Sequence, residues 1–181
     1  MQKLIDTNRE KVLDLLTARV NFERVGVKLY DRVISRIEAT GDSNFMRMMD
    51  ELRKHRSEEK EHEEWLEEQI RRFGGDAHGT TEMSKLEEIE SSGIEKIILD
   101  GDPQLSHAMH ALLMAELADN AGWDLLVKLA GQAHDGEAKR AFRKRLYEEV
   151  DHLAFMRKVM GRCERREVLG QMVSMPRSVL L

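Results

Sequence analysis

Four long apolar stripes, each interrupted near its middle by glutamate, limit what this chain can fold into more than any other feature. From about Lys3 to Ala39, Leu16, Val20, Val27, Tyr30, Ile34 and Ile37 recur at steps of three and four, with Glu23 among them. From near Ser43 to Gly74-Gly75, the stripe Phe45, Met48, Leu52, Leu66 and Phe73 carries His55, Glu59, His62 and Gln69. A third stripe follows Asp102-Pro103, a good cap and first-turn pair, and runs to Ala130 through Met109, Leu112, Glu116, Asp119, Trp123 and Leu126. The fourth spans roughly Asp135 to Cys163 through Phe142, Arg145, Glu149, His152, Met156 and Val159. Residues so spaced share one face of an α-helix.

Helices one and two, and three and four, are separated by only a few residues, which predicts two antiparallel hairpins. Residues 74–102 between them are too many for a turn and carry a short helical pattern around Lys85 to Leu99. The expected fold is therefore all-α, a four-helix bundle over residues 1–163 with one long crossover between two helical hairpins. Residues 164–181 have no clear period and read as an extended docking tail. Two prolines and 5% aromatic residues leave little of the stock from which sheets are built. A net charge of −5 provides no basic field, so nucleic acid is not an expected partner. The single cysteine, Cys163, excludes a paired-cysteine metal site within the chain. The first residues lack the apolar core of a signal peptide and no apolar run approaches a membrane span, so the expected setting is cytoplasmic.

The glutamates carry the chemistry. Two are followed three residues later by histidine, giving Glu59–His62 and Glu149–His152, pairs that share a helix face. A chain this rich in glutamate yields about one such pair by chance. What discriminates is the order: one solitary glutamate, Glu23 or Glu116, precedes each pair on the helix before it. The chain thus reads as two copies of one metal-binding hairpin. Four carboxylates in a core would repel strongly, and two divalent ions match their charge. Carboxylate with imidazole suits iron or manganese. The plain alternative is a metal-free bundle whose buried polar groups satisfy one another.

With these motifs the sequence resembles the ferritin-like superfamily, which includes bacterioferritin, rubrerythrin and manganese catalase. The resemblance covers roughly Lys3 to Cys163. It implies a centre of two iron ions, with manganese as the alternative, held by Glu23, Glu59, His62, Glu116, Glu149 and His152. Glu23 and Glu116 would be terminal ligands, and Glu59 and Glu149 would bridge. Tyr30, seven residues after Glu23, matches a ferritin tyrosine beside the metals, though simple core filling accounts for it equally. Glu58 and Glu148 match acidic residues that hydrogen-bond a ligand histidine of the opposite hairpin. Asp119 stands where rubrerythrins carry an extra glutamate, either as a switching ligand or merely solvated by the site. The cysteine-ligated domain of rubrerythrins and the fifth helix of ferritin cages have no counterpart here.

The resemblance implies a di-iron oxidoreductase, ferroxidase- or peroxidase-like, that reacts with dioxygen or hydrogen peroxide in iron and oxidative-stress handling. An unidentified electron donor and a homodimer go with that reading. The alternative is a non-catalytic metal-binding or partner-docking bundle. His55, with no counterpart in the second hairpin, reads as a hydrogen-bonded interior histidine, with metal ligation as the alternative.

Overall fold

The computed structural model describes residues 1–179. It is 81% helical, and the described residues form no strand. Its helices are α1 (Gln2–Thr7), α2 (Arg9–Thr40), α3 (Ser43–Met46), α4 (Met49–Arg72), α5 (Glu82–Glu95), α6 (Leu105–Gln132) and α7 (Gly136–Glu167). Among the described residues, no helix is long and apolar enough to cross a membrane.

Two of the four long stripes begin with a break. The first helix stops at Thr7 and restarts at Arg9, because Asn8 leaves helical geometry and its side chain caps the Lys11 N–H. The short α1 is thereby free to bury Leu4 and Ile5, and its Leu4 N–H donates to Asp135 at 3.1 Å. In the second stripe, Asp42 caps the one-turn α3 through the Asn44 and Phe45 N–H groups, and α4 begins after Met48. Gly41, at φ 60°, ends α2 in the left-handed conformation that glycine adopts at least cost.

The crossover holds one long element. α5 opens with a capping box between Thr81 and Ser84 and runs into a π-helical turn over Lys96–Asp100. Asp102-Pro103 does not start the next helix, contrary to the sequence expectation. Asp102 instead pairs with Arg36 at 2.8 Å, the Pro103 carbonyl accepts from the same guanidinium, and α6 begins at Leu105. α7 is capped by Asp135 and continues one turn past Cys163, to Glu167. The chain then folds back, burying Met175 and donating from Arg162 to the Ser174 carbonyl at 2.6 Å.

α2 packs chiefly against α4, and α6 against α7, with α5 lying along α2. Two apolar cores lie along this assembly. One gathers Leu29, Val33, Ile37, Leu52, Met109, Leu112, Phe155 and Val159. The other gathers Leu13, Leu16, Val20, Leu66, Ile70, Trp123, Leu126 and Phe142. The glutamates and histidines of the four stripes fall in the belt between these cores.

Candidate metal centre

Each long helix delivers its polar residues to the belt by the same spacing that delivers its apolar ones to the cores. The structure brings Glu23, Glu59, His62, Glu116, Glu149 and His152 together, none more than 2% exposed. They form two overlapping groups of potential ligands, Glu23–Glu59–His62–Glu149 and Glu59–Glu116–Glu149–His152. Within each group the donor atoms lie within 4.8 Å of one another, and Glu59 and Glu149 belong to both.

The histidines are oriented from outside the belt. His62 Nε2 lies 2.9 Å from Glu148 Oε2, and His152 Nε2 lies 2.9 Å from Glu58 Oε2. Each carboxylate accepts the Nε2 proton of a histidine on the opposite hairpin, which turns Nδ1 inward. His62 Nδ1 is then 3.0 Å from Glu149 Oε1, and His152 Nδ1 is 3.3 Å from Glu59 Oε1.

The solitary glutamates are held by one oxygen each. Glu23 Oε1 accepts from the Trp123 indole at 3.0 Å and pairs with Arg19 at 3.2 Å. Glu116 Oε1 accepts from the Tyr30 hydroxyl at 2.5 Å. Their second oxygens have no hydrogen-bond partner, and the same holds for Glu59 Oε2, both oxygens of Glu149, and Nδ1 of His62 and His152. With each imidazole neutral and its proton on Nε2, all six residues thus aim at least one unpaired buried atom at the belt. Such atoms are costly unless something pairs with them, and a cation cluster does so. The donor set therefore fits metal.

Asp119 joins neither group. It is buried, and its Oδ1 pairs with Arg19 Nη2 at 3.0 Å. The sequence reading passed over Arg19, Gly122 and Gly26. An added Cβ at Gly122 would overlap the Arg19 guanidinium, so the missing side chain is what admits Arg19. The sequence signal for Arg19 was present but weak: it precedes Glu23 by four residues. With the imidazoles neutral, five carboxylates facing one guanidinium leave four negative charges.

Gly26 plays a comparable part beside Glu59, since a Cβ there would lie 2.7 Å from Glu59 Oε2. Gly26→Ala should raise helix stability slightly while displacing that carboxylate. The expected result is a melting temperature kept or raised, with metal affinity at least about tenfold weaker. Unchanged affinity would show that Glu59 does not need this space.

Without metal, protons do the neutralising. Burial opposes charge on His62, but Glu148, Glu149 and Glu23 outweigh it and push the imidazole up to about 12. His152 is likewise raised well above its ordinary value, burial being outweighed by Glu149, Glu116 and Glu58. Burial, reinforced by Glu149, raises Glu59 and Glu116. A cation using Nδ1 must displace the proton from each imidazole, so uptake releases protons and tightens as pH rises. For His62 and His152 that is about tenfold in affinity per proton per pH unit, across pH 6 to 8. Calorimetry of metal binding in buffers of different ionisation enthalpy should count those protons, and an uptake independent of pH would refute this charge assignment.

No family model, curated protein or solved structure matches this chain. The class that its own residues define is an all-helical protein with buried glutamate and histidine groups that could hold metal.

Proposed function

We propose that this is a ferritin-like four-helix-bundle protein whose belt holds two metal ions, iron in the first instance, and that it acts as an oxidoreductase toward dioxygen or hydrogen peroxide. The observation that carries the reading is the sharing of Glu59 and Glu149 between the two ligand groups. Two adjacent ions with two common carboxylates is the arrangement that such sharing suits. Glu23 with His62 would complete one ion's donors, and Glu116 with His152 the other's. Carboxylate and imidazole favour iron or manganese over softer metals. When bound, paired iron supplies a couple between ferrous and ferric states, and four carboxylates favour the more highly charged pair.

The chain's own residues supply the surroundings. Burial of all six ligands admits only small reactants. A cavity of about 190 Å³ between α2, α5 and α6, lined by Ala18, Arg19, Phe22, Glu87 and Gly122, reaches inward as far as Arg19. Glu58 and Glu148 hold the Nε2 protons, which fixes both imidazoles for ligation. Tyr30 keeps its proton on the hydrogen bond to Glu116, since burial, together with Glu116, pushes its hydroxyl well above the ordinary range. In this reading electrons come from a separate donor.

The test is anaerobic loading with ferrous iron, metal analysis per chain, then exposure to dioxygen or hydrogen peroxide. Two ions per chain and rapid growth of ferric absorbance are expected. Stoichiometric metal without oxidation would make the protein a carrier, and no stoichiometric metal would leave a structural bundle.

A further inference from the structure

α5 lies on α2 with polar residues turned inward. Ser84, Glu87 and Ser91 are buried, whereas Leu86 and Ile89 of the same helix are exposed. A helix docked for apolar contact alone would be turned the other way. On its inner side Glu87 meets the cavity of about 190 Å³ between α2, α5 and α6. Small residues open that space, Ala18 on α2 with Ala118 and Gly122 on α6, and Phe22 and Leu126 keep its walls apolar. An apolar cavity of about 150 Å³ is enough to bind benzene.

Two groups of opposite charge, each more than nine-tenths buried, line this cavity from different helices: Glu87 and Arg19. Glu87 Oε1 has no hydrogen-bond partner, and rotation of the carboxyl brings either oxygen to the cavity. Arg19 turns Nε to Glu23 and Nη2 to Asp119, which leaves Nη1 on the cavity wall where a Cβ of residue 122 would otherwise stand. An ionic ligand of either sign would meet a like charge here as well as an unlike one. Burial pushes the Glu87 carboxyl up to about 7, opposed by Arg19 and Ser91 and reinforced by Glu95 and Glu90, so its protonated and ionised forms coexist near neutrality. A hydroxyl suits both forms. It donates to the carboxylate or accepts from the carboxyl, and it has a lone pair for the guanidinium.

We propose that this cavity binds a small neutral hydroxyl compound, its apolar body of about benzene size lying between Ala18, Ala118 and Leu126 and its hydroxyl joining Glu87 to Arg19. The unpaired carboxyl oxygen then gains a partner that the protein itself does not supply. The site uses no residue of the two metal-ligand groups, so it stands or falls independently of the metal centre.

Nuclear magnetic resonance titration of the full chain, labelled at alanine and leucine methyl groups, with phenol and with benzene tests it. Both compounds should shift the Ala18, Ala118 and Leu126 methyl signals, and phenol should bind at least about tenfold more tightly than benzene. Glu87→Met should reduce phenol to the affinity of benzene. Glu87→Gln, whose amide both donates and accepts, should keep phenol within about threefold of the unaltered protein. Ala118→Phe, at an exposed edge of the cavity, should weaken both compounds. Helical circular dichroism checks that each variant folds, and the preference for phenol over benzene in the unaltered chain decides the matter if Glu87→Met does not. No shift at these methyl groups up to about 10 mM phenol overturns the proposal. So does a benzene affinity equal to that of phenol, or a Glu87→Met variant that keeps the preference for phenol.

Discussion

Glu59→Ala should abolish two-metal loading while leaving a folded protein. Glu59 is one of the two carboxylates common to both ligand groups, so its removal takes a donor from each position at once. Its cost to the metal-free fold is small for a definite reason. Burial, with Glu149 alongside, holds the Glu59 carboxyl well above its ordinary value, so its ionised form is disfavoured in the folded protein. A group raised in this way contributes stability at low pH and loses it as pH climbs through the folded value. Near neutrality the alanine variant gives up packing but also removes the cost of burying a carboxyl that is ionised in the unfolded chain. Metal reverses the comparison, since a ligand at a hundred times its dissociation constant stabilises a native state by about 2.7 kcal/mol. Thermal melts should show a metal-dependent rise for the unaltered protein and none for Glu59→Ala, with similar metal-free midpoints. Two ions bound by the variant would end the bridging assignment.

The second large effect lies outside the ligand set. Arg19→Met removes the one guanidinium that Asp119 and Glu23 share, and leaves two buried carboxylates without it. Breaking a buried pair from one side costs about 3–5 kcal/mol, because the surviving charge stays buried. For a chain of this size that corresponds to a midpoint lower by about 6–20 °C in the metal-free protein. Adding Asp119→Leu to Arg19→Met should recover most of the loss, since replacing both partners by apolar groups removes the stranded charge. Cations should also rescue the single variant in part, because they compensate Glu23. A melt showing Arg19→Met as stable as the unaltered chain, or the double variant no better than the single, would refute this account.

The helices were legible where their pattern is local. A period of three and four residues marks a face wherever it recurs, and α2 ends at Thr40, one residue past the Ala39 boundary that the pattern gives. The breaks were harder. Asn8 interrupts a run that the apolar pattern carries straight through, because an asparagine side chain competes with the helix for its own backbone. Asp102-Pro103 looked like a helix start, but Arg36 from a distant helix engages both residues. At the site, Asp119 could be placed on the inner face, yet whether it met metal or another side chain depended on Arg19.

The sequence by itself determined that glutamates and histidines from four helices share inner faces, because residues three and four apart are neighbours on any helix. Tertiary structure alone decided which oxygen of each carboxylate is spoken for and which is left bare. Those contacts join side chains far apart in the chain, as Trp123 to Glu23 or Tyr30 to Glu116, and depend on how one helix is set against another. Local periodicity fixes a residue's direction from its own axis. The group waiting at the other end is set by packing, which no single helix encodes.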